Sequence, residues 1–254
     1  MVNLSDVFVL VTGGTSGLGR AMATALVEAG ARVAITGRQR SRAEEVAAQL
    51  GPGATGLELD VRHETSVQSG IEEIYERFGA LDMLVNNAGL GMRSVNPRFM
   101  SDPQPFWKVP PHGFREVLET KVTGCFLVAS AVVPRMLQAG AGRVVTISMN
   151  EATMIRRGFV PYGPSGAAVE AIARVIAADL EGTPVRANVL LPGGATHTGM
   201  VPDDIPDEIR GRLLDPAVMG PPIVWLASHE ADDLHDQRIV ATQFEDWLAQ
   251  RGSS

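Results

Sequence analysis

Thr12-Gly13-Gly14-Thr15-Ser16-Gly17-Leu18-Gly19 separates an apolar run at residues 7–12 from an Ala-rich amphipathic stretch at 17–29. An apolar strand, a glycine-rich turn and a helix, in that order, form the setting in which a glycine fingerprint reads as a phosphate-binding loop. Gly13 permits a tight turn, Gly17 lets the backbone approach a pyrophosphate, and Gly19 lets helix and sheet pack closely. Thr15, Ser16 and Leu18 belong to the same loop, and the helix N-terminus that follows favours negative charge. The alternative is a turn with a structural role alone.

The same alternation continues along the chain. Runs rich in Val, Ile and Leu at 32–36, 55–59, 81–86, 143–148 and 185–190 read as strands, and stretches at 41–50, 64–78, 114–137 and 167–180 read as helices. The expected fold is therefore α/β: a single Rossmann-type doubly wound domain over residues 1–254, with a parallel sheet of about seven strands and helices on both faces. Such sheets hold ligands beyond the carboxyl ends of their strands. Two Pro/Gly-rich segments, 90–113 and 192–222, fall there and read as a lid or pocket walls. The first carries Phe99, Met100, Phe106 and Trp107, which suggests a small to medium apolar substrate.

The 254 residues carry 22 Lys+Arg against 29 Asp+Glu, a formal net charge of −7. That is the wrong sign for a phosphate backbone, so nucleic acid is not an expected partner. Hydrophobic residues make up 45%, and no uninterrupted apolar stretch approaches the roughly 18 residues of a membrane span, so no membrane is expected either. The lone Cys125 allows no internal disulfide, and residues 1–10 lack the basic region and cleavage site of a signal peptide; the expected compartment is the cytoplasm. His63, His112, His197, His229 and His235 show no ligand spacing, and no metal site is expected.

The glycine loop, together with Asp60-Val61, Asn86-Asn87-Ala88-Gly89, Gly142-Arg143-Val144-Val145-Thr146-Ile147-Ser148, Tyr162-Gly163-Pro164-Ser165 and Asn188-Val189-Leu190-Leu191-Pro192-Gly193, resembles the short-chain dehydrogenase/reductase family in order and spacing over nearly the whole chain. The resemblance implies that Asp60 and Val61 face an adenine, that Asn86, Asn87, Ala88 and Gly89 support the sheet beside a dinucleotide, and that Pro192 and Gly193 flank its nicotinamide. It also implies a small-molecule substrate and a homo-oligomer, dimer or tetramer, built partly on the helices around 114–137 and 161–180. An acid at the end of the second strand would accept hydrogen bonds from a ribose 2′-hydroxyl. Ile35-Thr36-Gly37-Arg38-Gln39-Arg40 has no acid there and offers guanidinium groups instead, which suit a 2′-phosphate, so NADP(H) is favoured over NAD(H).

At the catalytic positions the chain departs from the family, which uses Tyr as acid/base, Lys four residues later, Ser about thirteen residues earlier and Asn on the preceding long helix. Tyr162 fits the Tyr, but Gly166 stands where the Lys belongs, Met149 stands at the Ser position and Lys121 at the Asn position. Ser148 is one residue off, facing the other way by strand alternation, unless a shifted loop brings it or Asn150 into play. A lysine lost at 166 and gained at 121 suggests a cation moved across the site to support Tyr162; the alternative is a surface or ion-paired lysine near Glu119. The leading expectation is an NADP(H)-dependent oxidoreductase interconverting a carbonyl and a secondary alcohol. The alternatives are a cofactor-binding sensor or scaffold without redox turnover and a non-redox lyase or isomerase reusing Tyr162.

Overall fold

Along β1 (Phe8–Val11) Phe8 and Leu10 point to one side and Val9 and Val11 to the other, and all four are buried. A strand buried on both faces belongs inside a parallel sheet covered by two helical layers. The computed structural model, which describes residues 2–252, has that architecture. α1 (Gly17–Glu28), β2 (Arg32–Gly37), α2 (Arg40–Leu50), β3 (Ala54–Glu58), α3 (Glu64–Phe78) and β4 (Met83–Asn86) follow β1. Then come α4 (Pro111–Leu118), α5 (Gly124–Ala139), β5 (Gly142–Ile147), α6 (Glu151–Met154), α7 (Tyr162–Asp179) and β6 (Val185–Leu191). α8 (Asp207–Arg210), α9 (Gly220–Ala227), β7 (Arg238–Val240) and α10 (Phe244–Arg251) complete the chain.

The sheet has seven strands in the order β3-β2-β1-β4-β5-β6-β7, every pair parallel. Val9 pairs with Val33 on one side and Met83 on the other, so the strand order reverses between β1 and β4. A crevice opens at the carboxyl ends of such a switch point because the two flanking crossovers leave in opposite directions. Val9, Val11, Ile35 and Val85 pack with Met22 and Leu26 of α1 and Ile223 of α9, while Phe8, Leu10 and Leu84 pack with Ile71 and Ile74 of α3 and Val128 and Val132 of α5.

The helix expected over 114–137 is not continuous. It starts at Pro111, widens into a five-residue π-turn at Glu119–Thr123 and resumes as α5. α7 begins at Tyr162, five residues ahead of the apolar periodicity, because Pro164 sits in the first turn, where a missing N–H breaks no helical bond. β7 is only three residues long and too short to show a pattern. The expectation of no membrane-spanning stretch is amended: the helical run 111–139 is long and apolar enough by length and composition. Here it lies along the sheet, with Val128, Val132 and Met136 buried in the core.

Candidate active site

Thr12 ties the two strands of the crevice together. Its hydroxyl accepts from the backbone N–H of Asn87 at 3.0 Å and of Ala88 at 3.1 Å, and donates to the Val85 carbonyl. The Asn87 side-chain amide returns a bond to the Thr12 carbonyl at 2.9 Å. Gly13 and Gly17 hold φ of +64° and +54°, which side chains with a β-carbon rarely adopt. A β-carbon on Gly19 would meet Asn87 Nδ2 at 2.4 Å, so the first turn of α1 can pack this closely only with glycine there. Ser16 precedes α1 without capping it through its side chain, which leaves the first N–H groups of that helix for a ligand. Thr15, Ser16, Gly17, Leu18 and Gly19 line a cleft of about 590 Å³, as do Val61, Ala88, Gly89 and Pro192. A glycine cradle at an uncapped helix N-terminus fits the pyrophosphate of a dinucleotide.

Both irregular segments border this cleft. Met92, Phe99 and Met100 line it, whereas Phe106 and Trp107 are turned to solvent, 65% and 72% exposed; only the first part of 90–113 is a pocket wall. Residues 194–201 run over the glycine loop, and Thr198 Cγ2 would touch a β-carbon on Gly17 at 3.3 Å. Arg93 joins the two segments, a role that its residue type and loop setting do not signal. Its Nη1 donates to the carbonyls of Gly199 and Val201, both at 3.2 Å, and its Nη2 to Asp203 at 3.0 Å. Replacing Arg93 with alanine is expected to speed amide hydrogen exchange at residues 199–203 about tenfold, the loss of one or two such bonds. Unchanged exchange there would show that the cover is held by other contacts.

At the far end of the cleft Arg38 is exposed on the rim and forms no ion pair among the described residues. Arg40, the second guanidinium of that segment, is taken: it makes a bidentate pair with Glu73 at 3.0 and 2.7 Å, which raises its own pKa and lowers that of Glu73. Asp60 lines the cleft with its carboxylate gripped by Arg62, Nη2 to Oδ2 at 2.6 Å, which holds it below the usual carboxylate range.

Tyr162 and Lys121 meet on the cleft floor. The π-turn carries Lys121 inward beneath Gly89, and its Nζ lies 4.7 Å from the centre of the Tyr162 ring. Lys121 forms no ion pair among the described residues, so it is not the surface or Glu119-paired lysine of the alternative. Burial lowers its pKa to about 8 and raises that of Tyr162 above the ordinary phenol value. Met149 is buried beside them, and a β-carbon on Gly166 would fall 2.4 Å from its Cε and 2.7 Å from its Sδ. The thioether therefore occupies the space in which a side chain at 166 would begin.

The profile of the family described as short chain dehydrogenase matches residues 7–208. The chain belongs to that family. A 3-oxoacyl-(acyl-carrier-protein) reductase of Vibrio harveyi is 30% identical over 237 residues, 91% of this chain and 93% of the relative. A probable NADP-dependent dehydrogenase of Haemophilus influenzae is 32% identical over 184 residues, 72% of this chain and 69% of the relative. Among solved structures, the 3-ketoacyl-(acyl-carrier-protein) reductase of Brucella melitensis complexed with NADH superposes with a TM-score of 0.83 at 25% identity, covering 94% of this chain and 97% of that one.

For this family member the residues flanking Met149 have other duties. The Ser148 hydroxyl donates to the Glu170 carboxylate on α7, and Arg238 of β7 donates to the same carboxylate at 2.7 Å and to the Met149 carbonyl at 3.1 Å. Strand alternation points Ser148 away, yet it lines the cleft, as Asn150 does, while held in a network that fixes the backbone of its neighbour. The Asn150 amide donates to the Gly193 carbonyl at 2.9 Å. Gly193, at φ +96°, stands behind the cleft wall with Thr242 filling the place of a β-carbon. Cys125 is buried one turn beyond Lys121, its thiol pushed up to about 11 by burial, which leaves it protonated. Arg156 borders the cleft over the Phe159 ring at 4.7 Å, while His197 is exposed and does not line it. Among the described residues no His/Cys/Asp/Glu group could hold a metal ion.

Proposed function

We propose that this chain is an NADP(H)-dependent oxidoreductase that reduces the carbonyl group of a small to medium apolar compound. The observation that carries the reading is the meeting of Tyr162 and Lys121 on the floor of the cleft that the glycine loop opens into. The bound nicotinamide would supply the hydride. The loop from Gly13 to Gly19 holds the pyrophosphate, Val61 and Asp60 border the adenine, Asn87, Ala88 and Gly89 support the middle of the dinucleotide, and Pro192 bounds the nicotinamide end, whereas Gly193, expected beside it, lies behind that wall. A relative named for NADP supports the cofactor choice, and the exposed, unpaired Arg38 on the cleft rim is the guanidinium free to contact a 2′-phosphate. Exposed Phe126 on α5 and Val175 on α7 offer the faces on which further copies would pack as a dimer or tetramer.

Tyr162 donates its proton to the substrate oxygen. Burial keeps the phenol protonated, which suits reduction, where the acid form is the starting state. The phenolate left behind lies under the Lys121 ammonium, and a cation over a phenolate ring is stabilising. Met149 replaces a polar orienting group with an apolar one in the cleft that Phe99 and Phe159 also line, so the substrate is held by shape and by exclusion of water.

Titration of the purified protein with NADPH and with NADH, followed by nicotinamide emission, tests the cofactor assignment. NADPH is expected to bind about tenfold more tightly, the worth of one charge-assisted contact, and Arg38→Ala is expected to abolish the preference. Binding of neither nucleotide would sink the oxidoreductase reading. Binding without hydride transfer to any carbonyl compound would leave a cofactor-binding protein.

A further inference from the structure

The chain contains 20 arginines but only 2 lysines, Lys108 and Lys121. Lys108 is exposed on the turn ahead of α4. Lys121 instead runs inward past Gly89, where even a β-carbon would lie 2.8 Å from its Cγ, and ends on the cleft floor over the Tyr162 ring. The groups that face it are the Tyr162 phenol from α7 and the Cys125 thiol from α5, and no carboxylate pairs with it among the described residues. Lys108 apart, every other cationic side chain of fixed charge is an arginine. A guanidinium at 121 would keep its proton at every pH the protein meets, whereas an amine can release it and act as a nucleophile. Phe99 and Phe159 form an apolar seat beside Tyr162 for the body of a small carbonyl compound.

We propose that Lys121 is a covalent site for carbonyl compounds, its amine condensing with an aldehyde or unhindered ketone held against Tyr162 to form an imine. The proposal rests on the reading that this cleft admits a carbonyl compound, but it needs neither cofactor nor hydride. The Nζ lone pair forms the C–N bond as the carbonyl π pair moves to oxygen, which takes the Tyr162 proton. One N–H proton returns to the phenolate, giving a neutral carbinolamine. The nitrogen lone pair then forms C=N as the C–O bond breaks, the hydroxyl leaves with a proton from Tyr162 as water, and the second N–H proton restores Tyr162. Amine and carbonyl compound become imine and water, with no change of oxidation state. With its pKa lowered to about 8, Lys121 is about half neutral at pH 8, against less than about 1% for an ordinary lysine.

The test is incubation of the full chain with benzaldehyde and sodium cyanoborohydride at pH 8 without nucleotide, followed by peptide mapping of the two lysines. Lys121 is expected to be benzylated at least about tenfold faster than Lys108, in keeping with its larger neutral fraction. Lys121→Arg is expected to remove that adduct and leave the one at Lys108; where this variant fails to fold, the ratio in the parent protein decides alone. Equal rates, or modification of Lys108 only, would overturn the proposal. Reduction of benzaldehyde by NADPH without an adduct at 121 would overturn it and keep the oxidoreductase reading, whereas an adduct without nucleotide binding would do the reverse.

Discussion

Changing Lys121 to alanine is expected to lower kcat for NADPH-driven carbonyl reduction about 100-fold and to erase a descending limb near pH 8. The first part follows from Coulomb's law. A unit charge 4–5 Å from a developing phenolate, at an effective dielectric constant of about 20, contributes roughly 3 to 4 kcal/mol, and a 100-fold change needs about 2.7 kcal/mol. The second part follows from the sign of the shift. Burial lowers the Lys121 pKa to about 8, so the ammonium is present below that pH and is lost as the pH rises through it. Activity in the parent protein is therefore expected to fall above pH 8. Lys121→Arg keeps its charge throughout and is expected to move that limb beyond pH 10. Full pH–rate profiles of the three proteins decide the matter. An alanine variant with parental kcat and the same limb would reduce Lys121 to a packing role.

The second large effect concerns the pair Met149 and Gly166. Gly166→Lys alone, which would put the family's lysine back, is expected to destabilise the fold by about 2 kcal/mol and to leave turnover no better than in the parent. A new β-carbon would lie 2.4 Å from Met149 Cε inside a closely packed region, and overfilling of this kind typically costs about 1–3 kcal/mol. Met149→Ser removes the obstructing thioether. The double variant is expected to regain parental stability within about 1 kcal/mol and to exceed the parent in kcat about tenfold, since it adds both an orienting hydroxyl and a second cation. Thermal unfolding and steady-state kinetics of the two single variants and the double would give the coupling energy of the pair. Additivity, with Gly166→Lys well tolerated by itself, would show that Met149 moves aside freely.

Much of the fold was legible because the signals were local and strong. The run from Val7 to Gly19 shows a strand, a turn and a helix start without help from the rest of the chain, and the apolar runs of β2, β4, β5 and β6 are equally plain, whereas β3, Ala-Thr-Gly-Leu-Glu, is the weakest of the strand signals. What escaped reading depended on distant packing. Nothing in the apolar periodicity of 114–137 signals the π-turn at Glu119–Thr123, yet that turn sends Lys121 inward. Tyr162 and its neighbour lysine could be picked out by residue type, but not the thioether of Met149 seated over Gly166, because a glycine tells the reader that a side chain is absent and not what has replaced it. Arg93 looked like any loop arginine, since its partners are carbonyls more than a hundred residues away. Arg38 and Arg40 are alike by residue type, and only the packing of α2 against Glu73 of α3 separates the engaged guanidinium from the free one.

The shared volume of Met149 and Gly166 also has a meaning for descent. From the present sequence, a lysine arriving at 166 meets an occupied space, and a serine arriving at 149 leaves an unfilled one, so each single step lowers stability and neither improves the site. The way back to a lysine at 166 therefore crosses a valley that only a paired change avoids. With the amine at position 121 and the thioether seated over Gly166, single substitutions are expected to elaborate chemistry around Lys121 more readily than to install a lysine at 166.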